Sequence, residues 1–195
     1  MDKEEAYVKD WLSRPYCAAG LNKPAFEVKE FSKKEKKGSK TPDFRVYSEG
    51  RLAFFCEVKG ISQNVPSGVH ADSIYNRITT KIHEAVQQFE AVNPTGAESN
   101  ALAFVTDDDF WDEDDLIQTM KGTFDADNGS CDRIYIKYSQ GRIKDEKYRI
   151  HLYIWMRAVF HRNQPRTYLL FSEDEHHYKA LCQLFCVDPG GVKLV

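Results

Sequence analysis

Hydrophobic and polar positions along the chain predict helices and strands in mixed order. Apolar residues at helical spacing predict helices over residues 2–13, 73–92, 112–121 and 173–185. Segments that are rich in β-branched and aromatic residues, or wholly apolar, predict strands over residues 25–31, 41–48, 51–60, 101–106, 132–140, 147–157 and 167–171. This order predicts an α/β protein with a mixed sheet and a strand-rich C-terminal part.

The long strand predicted over residues 147–157 alternates between two kinds of side chain. One face is apolar, and the other carries cations and aromatic rings, namely Arg149, His151, Tyr153, Trp155 and Arg157. Such a face suits stacking on bases and contact with phosphates. It equally suits a sheet face that a helix covers, or a dimer interface.

Candidate chemistry lies on two adjacent predicted strands. Pro42-Asp43 begins the first strand and Glu57-Val58-Lys59 ends the second, with a short polar turn that ends in Gly50 between them. In an antiparallel pair, Asp43 and Glu57 come level across the ladder, close enough for both carboxylates to hold one divalent cation. Lys59 projects from the same face as Glu57 because side chains repeat with period two. Two acids and an amine are therefore predicted to converge.

An acid two residues before a lysine is not specific by itself. The chain contains three other examples: Glu27-Val28-Lys29, Glu35-Lys36-Lys37 and Asp145-Glu146-Lys147. Only Glu57-Val58-Lys59 is embedded in a strongly apolar strand and follows the one Pro-Asp dipeptide of the chain. A charged pair in such a strand is unfavourable unless a partner compensates it, and a metal ion would do so.

These residues resemble the PD-(D/E)xK nuclease superfamily, which has the restriction-endonuclease-like fold. The common core of that family runs helix, three strands, helix, strand, and the predicted elements follow this order over residues 1–106, roughly half the chain. Exonuclease-type members also carry a glutamine followed four residues later by a tyrosine on the second helix. Gln87 and Gln88 are followed at that distance by Ala91 and Val92, which argues against a recombination-type exonuclease.

The resemblance implies phosphodiester hydrolysis that uses Mg²⁺ or Mn²⁺ and leaves a 5′-phosphate and a 3′-hydroxyl. Asp43 and Glu57 would bind the metal together with the backbone carbonyl of Val58. Lys59 would position the attacking water and offset charge on the phosphate.

Members of the family commonly carry a further acid on the first helix. Glu4 is the expected candidate for catalysis and metal binding, because Tyr7, Val8 and Trp11 place it on the apolar side of the helix. Glu5 lies nearer the edge of that stripe. The alternative is that both are ordinary first-turn acids, which the helix dipole favours.

Two groups of polar residues are candidates for contact with nucleic acid. A stripe on the helix over residues 73–92 contains Arg77, Lys81 and Gln88, and a basic segment before the motif contains Lys36, Lys37 and Lys40. Each group also has a plainer interpretation. The stripe fits a solvated helix face on which Lys81 pairs with Glu84, and the basic segment fits a solvated loop.

The C-terminal helix carries residue types that bind zinc, namely His176, His177, Cys182 and Cys186. However, Tyr178, Leu181, Cys182 and Phe185 share one helical face, which favours a role in the hydrophobic core.

Composition and charge limit the number of domains, the partners and the location that we expect for this protein. The 195 residues are 42% hydrophobic, and we expect one domain over residues 1–195, with a nuclease-like core at 1–106 and an integral extension at 107–195. A net charge of −3 does not favour a nucleic-acid binder. No run approaches the roughly 20 apolar residues that span a bilayer, the start of the chain is charged, and five cysteines fit reduced thiols. We therefore expect a cytoplasmic protein with no membrane partner.

Several functions stay open on these grounds. A metal-dependent DNA endonuclease is favoured, and an RNA endonuclease of the same fold is the first alternative because nothing in the motif reads the sugar. The second is a non-catalytic module that binds nucleic acid or protein, and the third is an unrelated α/β protein in which the motif is accidental. Symmetric cutting of two strands requires two sites, so a homodimer is also considered.

Overall fold

The computed structural model describes residues 1–18, 21–38, 40–61, 72–107, 111–125, 131–133, 143–158, 166–172, 174–191 and 193–194. The helices in this part of the chain are α1 (Lys3–Ser13), α2 (Lys33–Gly38), α3 (Asp72–Val92), α4 (Glu113–Lys121) and α5 (Glu175–Phe185). The strands are β1 (Tyr16–Ala18), β2 (Leu21–Lys23), β3 (Glu27–Glu30), β4 (Phe44–Ser48), β5 (Arg51–Ile61), β6 (Ser99–Thr106), β7 (Thr123–Asp125), β8 (Cys131–Arg133), β9 (Leu152–Arg157), β10 (Arg166–Phe171) and β11 (Lys193–Leu194).

The central sheet is mixed and has the strand order β11-β10-β9-β6-β5-β4-β3. β3, β4 and β5 form an antiparallel meander, whereas β5, β6 and β9 run parallel. β10 is antiparallel to β9, and the two-residue β11 is parallel to β10. Two small hairpins, β1–β2 and β7–β8, lie outside this sheet. The predicted α/β class and mixed sheet are confirmed.

Helices cover both faces of the sheet. α1 and α5 pack on one face with Phe54, Cys56 and Val58 of β5, and α3 and α4 pack on the other with Phe55 and Ile61. Strand residues alternate between the two cores because successive side chains point to opposite faces. The predicted stripe on α3 is buried against the second core: Ile78, Ile82, Ala85 and Phe89. Lys59, an odd-numbered position like Phe55, therefore lies on the α3 side of β5.

The start and the end of α1 are both fixed by side chains. Asp2 and Glu5 form a capping box at the amino end, in which each side chain accepts from the other residue's backbone N–H. At the carboxyl end the buried Lys23 ammonium donates to the carbonyls of Leu12 and Arg14, at 3.1 and 2.5 Å. The capping box fixes the start of α1, and Lys23 joins its end to the β1–β2 hairpin.

The C-terminal part differs from the prediction for residues 147–157. Lys147–Arg149 form a 3-10 turn, and only Leu152–Arg157 is a strand, which lies between β6 and β10 near the middle of the sheet. Tyr153 and Trp155 are fully buried in the α3 core, so the cation-aromatic face is a covered sheet face and not a surface for bases. A strand in the middle of a sheet is buried on both faces. The alternating sequence of this strand did not indicate that burial.

The strand predicted over residues 132–140 lies mostly outside the described residues. Its described start belongs to β8, which pairs with β7. In the described residues, β9 pairs with β6 and β10.

The acidic residues Asp112–Asp115, which follow β6, form the start of α4. Asp112 is the N-cap and forms a capping box with Asp115, as acids at a helix amino terminus would.

Within the described residues, no helix has both the length and the apolar character needed to cross a bilayer.

Candidate active site

Asp43 and Glu57 meet at one end of the β4–β5 hairpin. The pairing of Phe44 with Cys56 places the preceding residue, Asp43, level with Glu57. The Asp43 side chain turns toward β5, where its Oδ2 accepts the backbone N–H of Val58 at 3.0 Å. Asp43 is 8% exposed and Glu57 is 2% exposed. The structure therefore brings two largely buried carboxylates together.

A tight turn and a β-bulge together fix the register of this hairpin. Glu49 and Gly50 both have positive φ, at 50° and 77°, as a two-residue hairpin turn requires. Tyr47 pairs with Leu52 but Val46 pairs with Phe54, so β5 contains one extra residue, Ala53, at this point. Beyond the bulge the ladder runs regularly to Phe44. The turn alone would place Asp43 opposite Cys56, and the bulge shifts the pairing by one residue so that Asp43 faces Glu57.

The Glu57 carboxyl group has an unusual electrostatic environment. Burial, together with the negative charge of Asp43 and a hydrogen bond to it, raises the pKa of Glu57 to about 8, although the Lys59 ammonium opposes the rise. Glu57 Oε1 lies 2.7 Å from Lys59 Nζ. The other oxygen, Oε2, is buried and receives no hydrogen bond from any residue that the structure describes. This oxygen needs a positive partner, either a proton shared with Asp43 or a bound cation.

Lys59 is held between the strand and α3. Besides Glu57, its ammonium donates to Gln88 Oε1 at 3.1 Å and lies 3.7 Å from Glu84 Oε2. The Gln88 amide also donates to the carbonyl of Thr41, at 3.1 Å, so its orientation is fixed from both sides. Gln88, predicted as a nucleic-acid contact, therefore lies between Lys59 and the segment that leads into β4, where it positions the lysine.

The two acids on the first turn of α1 lie in different surroundings. Burial raises the pKa of Glu5, and the charge of Asp43 raises it further while that of Lys36 lowers it, so Glu5 lies within electrostatic range of Asp43. Glu4 lies against the β5 backbone: a Cβ built on Gly60 would stand 3.3 Å from Glu4 Cγ. The choice of Glu4 as the further acid of the site therefore stays a prediction.

The basic segment before β4 is partly helical, not only a loop. Lys36, on α2, has its ammonium 3.7 Å from Asp43 Oδ1. Lys40 donates to Gln87 Oε1 on α3 at 2.8 Å. Lys37 is exposed on the same short helix. Two of the three predicted lysines therefore reach the site from outside the sheet.

A cavity of about 520 Å³ opens over these groups. Its lining mixes three ammonium groups with the acids and amides described above: Lys36, Lys40, Thr41, Asp43, Lys59, Glu84 and Gln88. The predicted residues Arg77 and Lys81 lie nearer the amino end of α3 and do not line this cavity. Lys81 pairs with Glu84 at 3.1 Å, as expected for a solvated helix face.

A second polar cluster lies near the amino end of β6. Nitrogen and oxygen atoms of His151, Asp174 and His177 lie within 4.8 Å of one another, a spacing that suits a metal ion. His151 Nδ1, however, accepts the backbone N–H of Asn100 at 2.9 Å, and burial lowers the pKa of His151 to about 4. The neutral ring therefore carries its proton on Nε2 and offers no free lone pair there.

The rest of that cluster favours a structural role. The rings of His151 and His177 stack with centroids 3.7 Å apart, and His177 Nδ1 lies 2.9 Å from Ser99 Oγ. On α5, Leu181, Cys182 and Phe185 are buried, which agrees with the predicted core role of that helix face, whereas Cys186 is exposed at the helix end.

The sequence did not identify Glu5, Glu84 and Thr41 as neighbours of the site. Glu84 had a usable signal, because it shares the α3 stripe with Lys81 and Gln88 at helical spacing, and that stripe faces Lys59. Thr41 contributes through its backbone carbonyl, which no side-chain pattern reveals.

Comparisons of the chain with protein-family models, with curated proteins and with solved structures found no significant match. The geometry of the site must therefore carry any functional proposal.

Proposed function

We propose that this protein is a metal-dependent nuclease that hydrolyses phosphodiester bonds in DNA on a restriction-endonuclease-like core. The observation that carries the proposal is the pair of buried carboxylates Asp43 and Glu57, one oxygen of which lacks a hydrogen-bond donor among the described residues, beside the Lys59 ammonium. Buried acids without compensation are unfavourable, so such a group suits a role other than stability.

The donor set fits a hard divalent cation. Asp43 and Glu57 offer carboxylate oxygens, which Mg²⁺ and Mn²⁺ prefer, and the backbone carbonyl of Val58 is the third predicted ligand. Glu4 is the predicted further ligand on the first helix, and Glu5 is a second candidate there because its carboxylate lies within electrostatic range of Asp43. A cation here would relieve the repulsion that raises the pKa of Glu57.

Phosphodiester hydrolysis needs positive charge near the phosphate and an activated water. A bound divalent ion supplies positive charge and lowers the pKa of a coordinated water. Lys59, held by Gln88, presents its ammonium to the cavity, where it orients water and offsets charge that develops on the phosphate. Lys36 and Lys40 add two further ammonium groups to the same cavity and favour the approach of an anionic strand.

Cleavage of supercoiled plasmid with Mn²⁺ tests the proposal, and the chain offers a matched control. We expect Asp43→Asn and Lys59→Ala to reduce the cleavage rate by at least about 100-fold. Lys29 also follows an acid by two residues and pairs with Glu27 at 2.9 Å, but its side chain is 54% exposed. Lys29→Ala should cut like the unmodified protein.

The same assay separates the alternatives. Equal cutting by the unmodified protein and by Lys59→Ala would remove the catalytic role of this site. Cleavage of RNA in preference to DNA of the same sequence would identify a ribonuclease. Binding of either nucleic acid without any cleavage would identify a non-catalytic module.

A further inference from the structure

A second cavity lies beside the proposed active site and has no role so far. It has a volume of about 300 Å³ and lies between the end of β5 and the first half of α3. Its lining is cationic and polar: Gly60, Ile61, Asn76, Arg77, Thr80 and Lys81. The volume is at the lower end of the range of about 300–1,000 Å³ for ligand pockets, which suits one small group and not an extended ligand.

The two cavities are neighbours along the same two elements. On β5, Lys59 lines the first cavity, and the next two residues, Gly60 and Ile61, line the second. On α3, the second cavity lies about seven residues before the first, which is about 10 Å along a helix. A nucleic-acid strand whose scissile group lies over Lys59 would reach the second cavity within one or two nucleotides.

Glu84 connects the two cavities electrostatically. Its Oε2 lies 3.7 Å from Lys59 Nζ and 3.1 Å from Lys81 Nζ. One carboxylate oxygen thus holds an ammonium group from each cavity, and no carboxylate lines the second cavity among the described residues. An anion that enters there would meet the cationic side chains of Arg77 and Lys81 and would compete with Glu84 for Lys81.

We propose that this second cavity binds a phosphodiester group of the same strand, one or two nucleotides from the bond that is cut. The inference rests on the proposed nuclease function and adds where the substrate strand runs. Arg77 presents a planar guanidinium, which matches phosphate oxygens in a bidentate manner, and Lys81 presents a point charge. The substrate would lie along α3 and contact the protein on at least one side of the scissile group.

A double-substitution cycle tests this assignment. DNA oligonucleotides in which one phosphate at a time is replaced by a neutral methylphosphonate are compared with unmodified DNA, for the unmodified protein and for Arg77→Gln. We expect one flanking position to raise KM about tenfold with the unmodified protein, because a charge-assisted hydrogen bond is lost. With Arg77→Gln, KM for normal DNA should already be raised, and the same methylphosphonate should change it less than about twofold.

Two further variants keep the test decisive. Lys81→Gln should remove sensitivity at the same position if Arg77→Gln fails to fold. Lys179→Gln removes one positive charge from α5, on the opposite face of the sheet, and should keep the full methylphosphonate profile of the unmodified protein. Equal methylphosphonate penalties in the unmodified protein and in both α3 variants would overturn the assignment.

The same cycle is also measured as a dissociation constant with Ca²⁺ in place of Mn²⁺, so that the two proposals fail separately. Hydrolysis without coupling between Arg77 and a flanking phosphate would remove the cavity assignment alone. Coupling in binding with no hydrolysis in Mn²⁺ would retain the phosphate subsite and remove the nuclease function. Neither hydrolysis nor coupling would overturn both.

Discussion

Among the residues that the structure describes, Lys23 and Lys59 are largely withdrawn from solvent, and their partners differ. Lys23 is 1% exposed and donates to three backbone carbonyl oxygens, those of Leu12, Arg14 and Pro24. The Lys59 side chain is 14% exposed and faces two carboxylates and one amide oxygen, those of Glu57, Glu84 and Gln88. Both ammonium groups are enclosed, but only the second belongs to a group of charges.

The two clusters differ in whether every buried polar atom has a hydrogen-bond partner. Each of the three Lys23 donors has a carbonyl acceptor, and the ammonium also lies 4.9 and 5.0 Å from the ring centres of Trp11 and Phe26. Around Lys59, by contrast, Glu57 keeps a buried oxygen without a donor among the described residues. A complete cluster stabilises the fold, whereas an incomplete one leaves capacity for a ligand.

Replacement of Lys59 should give the largest effect, and it should be on activity. Lys59→Met removes the ammonium from the proposed site, and we expect plasmid cleavage to fall by about 10²–10⁴-fold. Stability at pH 7 should change by less than about 1 kcal/mol, because Glu57, with a pKa of about 8, is mostly protonated there and is not left as a bare charge. Cleavage kinetics and urea unfolding of the same sample measure both.

Replacement of Lys23 should give the reverse pattern. Lys23→Met leaves three carbonyl oxygens at the end of α1 without their donor, so the free energy of unfolding should fall by about 3 kcal/mol. The remaining folded protein should cleave DNA at the normal rate under conditions where it is fully folded. Loss of activity without loss of stability would contradict the structural role of this lysine.

Glu57 should show the conflict between function and stability. Its pKa is about 8 in the folded protein and near 4.5 when unfolded, so the folded state holds the extra proton between these values. Stability of the metal-free protein should therefore fall as the pH rises from about 4.5 to about 8. Glu57→Gln, which cannot ionise, should be more stable than the unmodified protein by about 2 kcal/mol at pH 8.5.

Urea unfolding across this pH range measures the effect, with Glu27→Gln as the control. Glu27 is the acid of the exposed Glu27-Val28-Lys29 segment, and its side chain is 57% exposed. Its replacement should leave the pH profile unchanged. A flat profile in the unmodified protein would contradict the buried, repelled state of Glu57.

The stacked histidines should give the smallest effect and at the opposite end of the pH scale. The pKa of His151 is about 4 in the folded protein and 6.5 when unfolded, so the unfolded state binds more protons between these values. Stability should fall as the pH decreases from about 6.5 to about 4. The groups that act on this ring are His177, Asp174 and Arg149.

His151→Asn should reduce the acid sensitivity by about 1–2 kcal/mol between pH 7 and pH 4.5, because the amide oxygen can still accept the Asn100 N–H without titrating. Thermal unfolding at both pH values measures it. Equal acid sensitivity in both proteins would mean that His151 charges without penalty.

The parts of the molecule that the sequence predicted have local causes. The β4–β5 hairpin follows from strand alternation and a short turn, whereas the exact pairing of Asp43 with Glu57 also depends on the bulge at Ala53, which no sequence pattern indicated. The buried stripe of α3 follows from its 3.6-residue period. Each depends on residues close in sequence.

What the sequence missed depends on how distant elements pack. Glu4 and Glu5 are neighbours on α1, and helical spacing alone does not decide which of them lies nearer to Asp43. Trp155 belongs to an alternating strand, yet it is buried because β9 lies inside the sheet. No sequence pattern predicts the burial of Lys23, because its acceptors are backbone carbonyls.

Calorimetric titration with Mn²⁺ at pH 7, in two buffers of different ionisation enthalpy, tests the metal site most directly. Glu57, with a pKa of about 8, must lose its proton to bind a cation, so binding should release about one proton. Asp43→Asn should abolish binding. The same heat from the unmodified protein and from Asp43→Asn, or binding with no proton release, would contradict a cation held between Asp43 and Glu57.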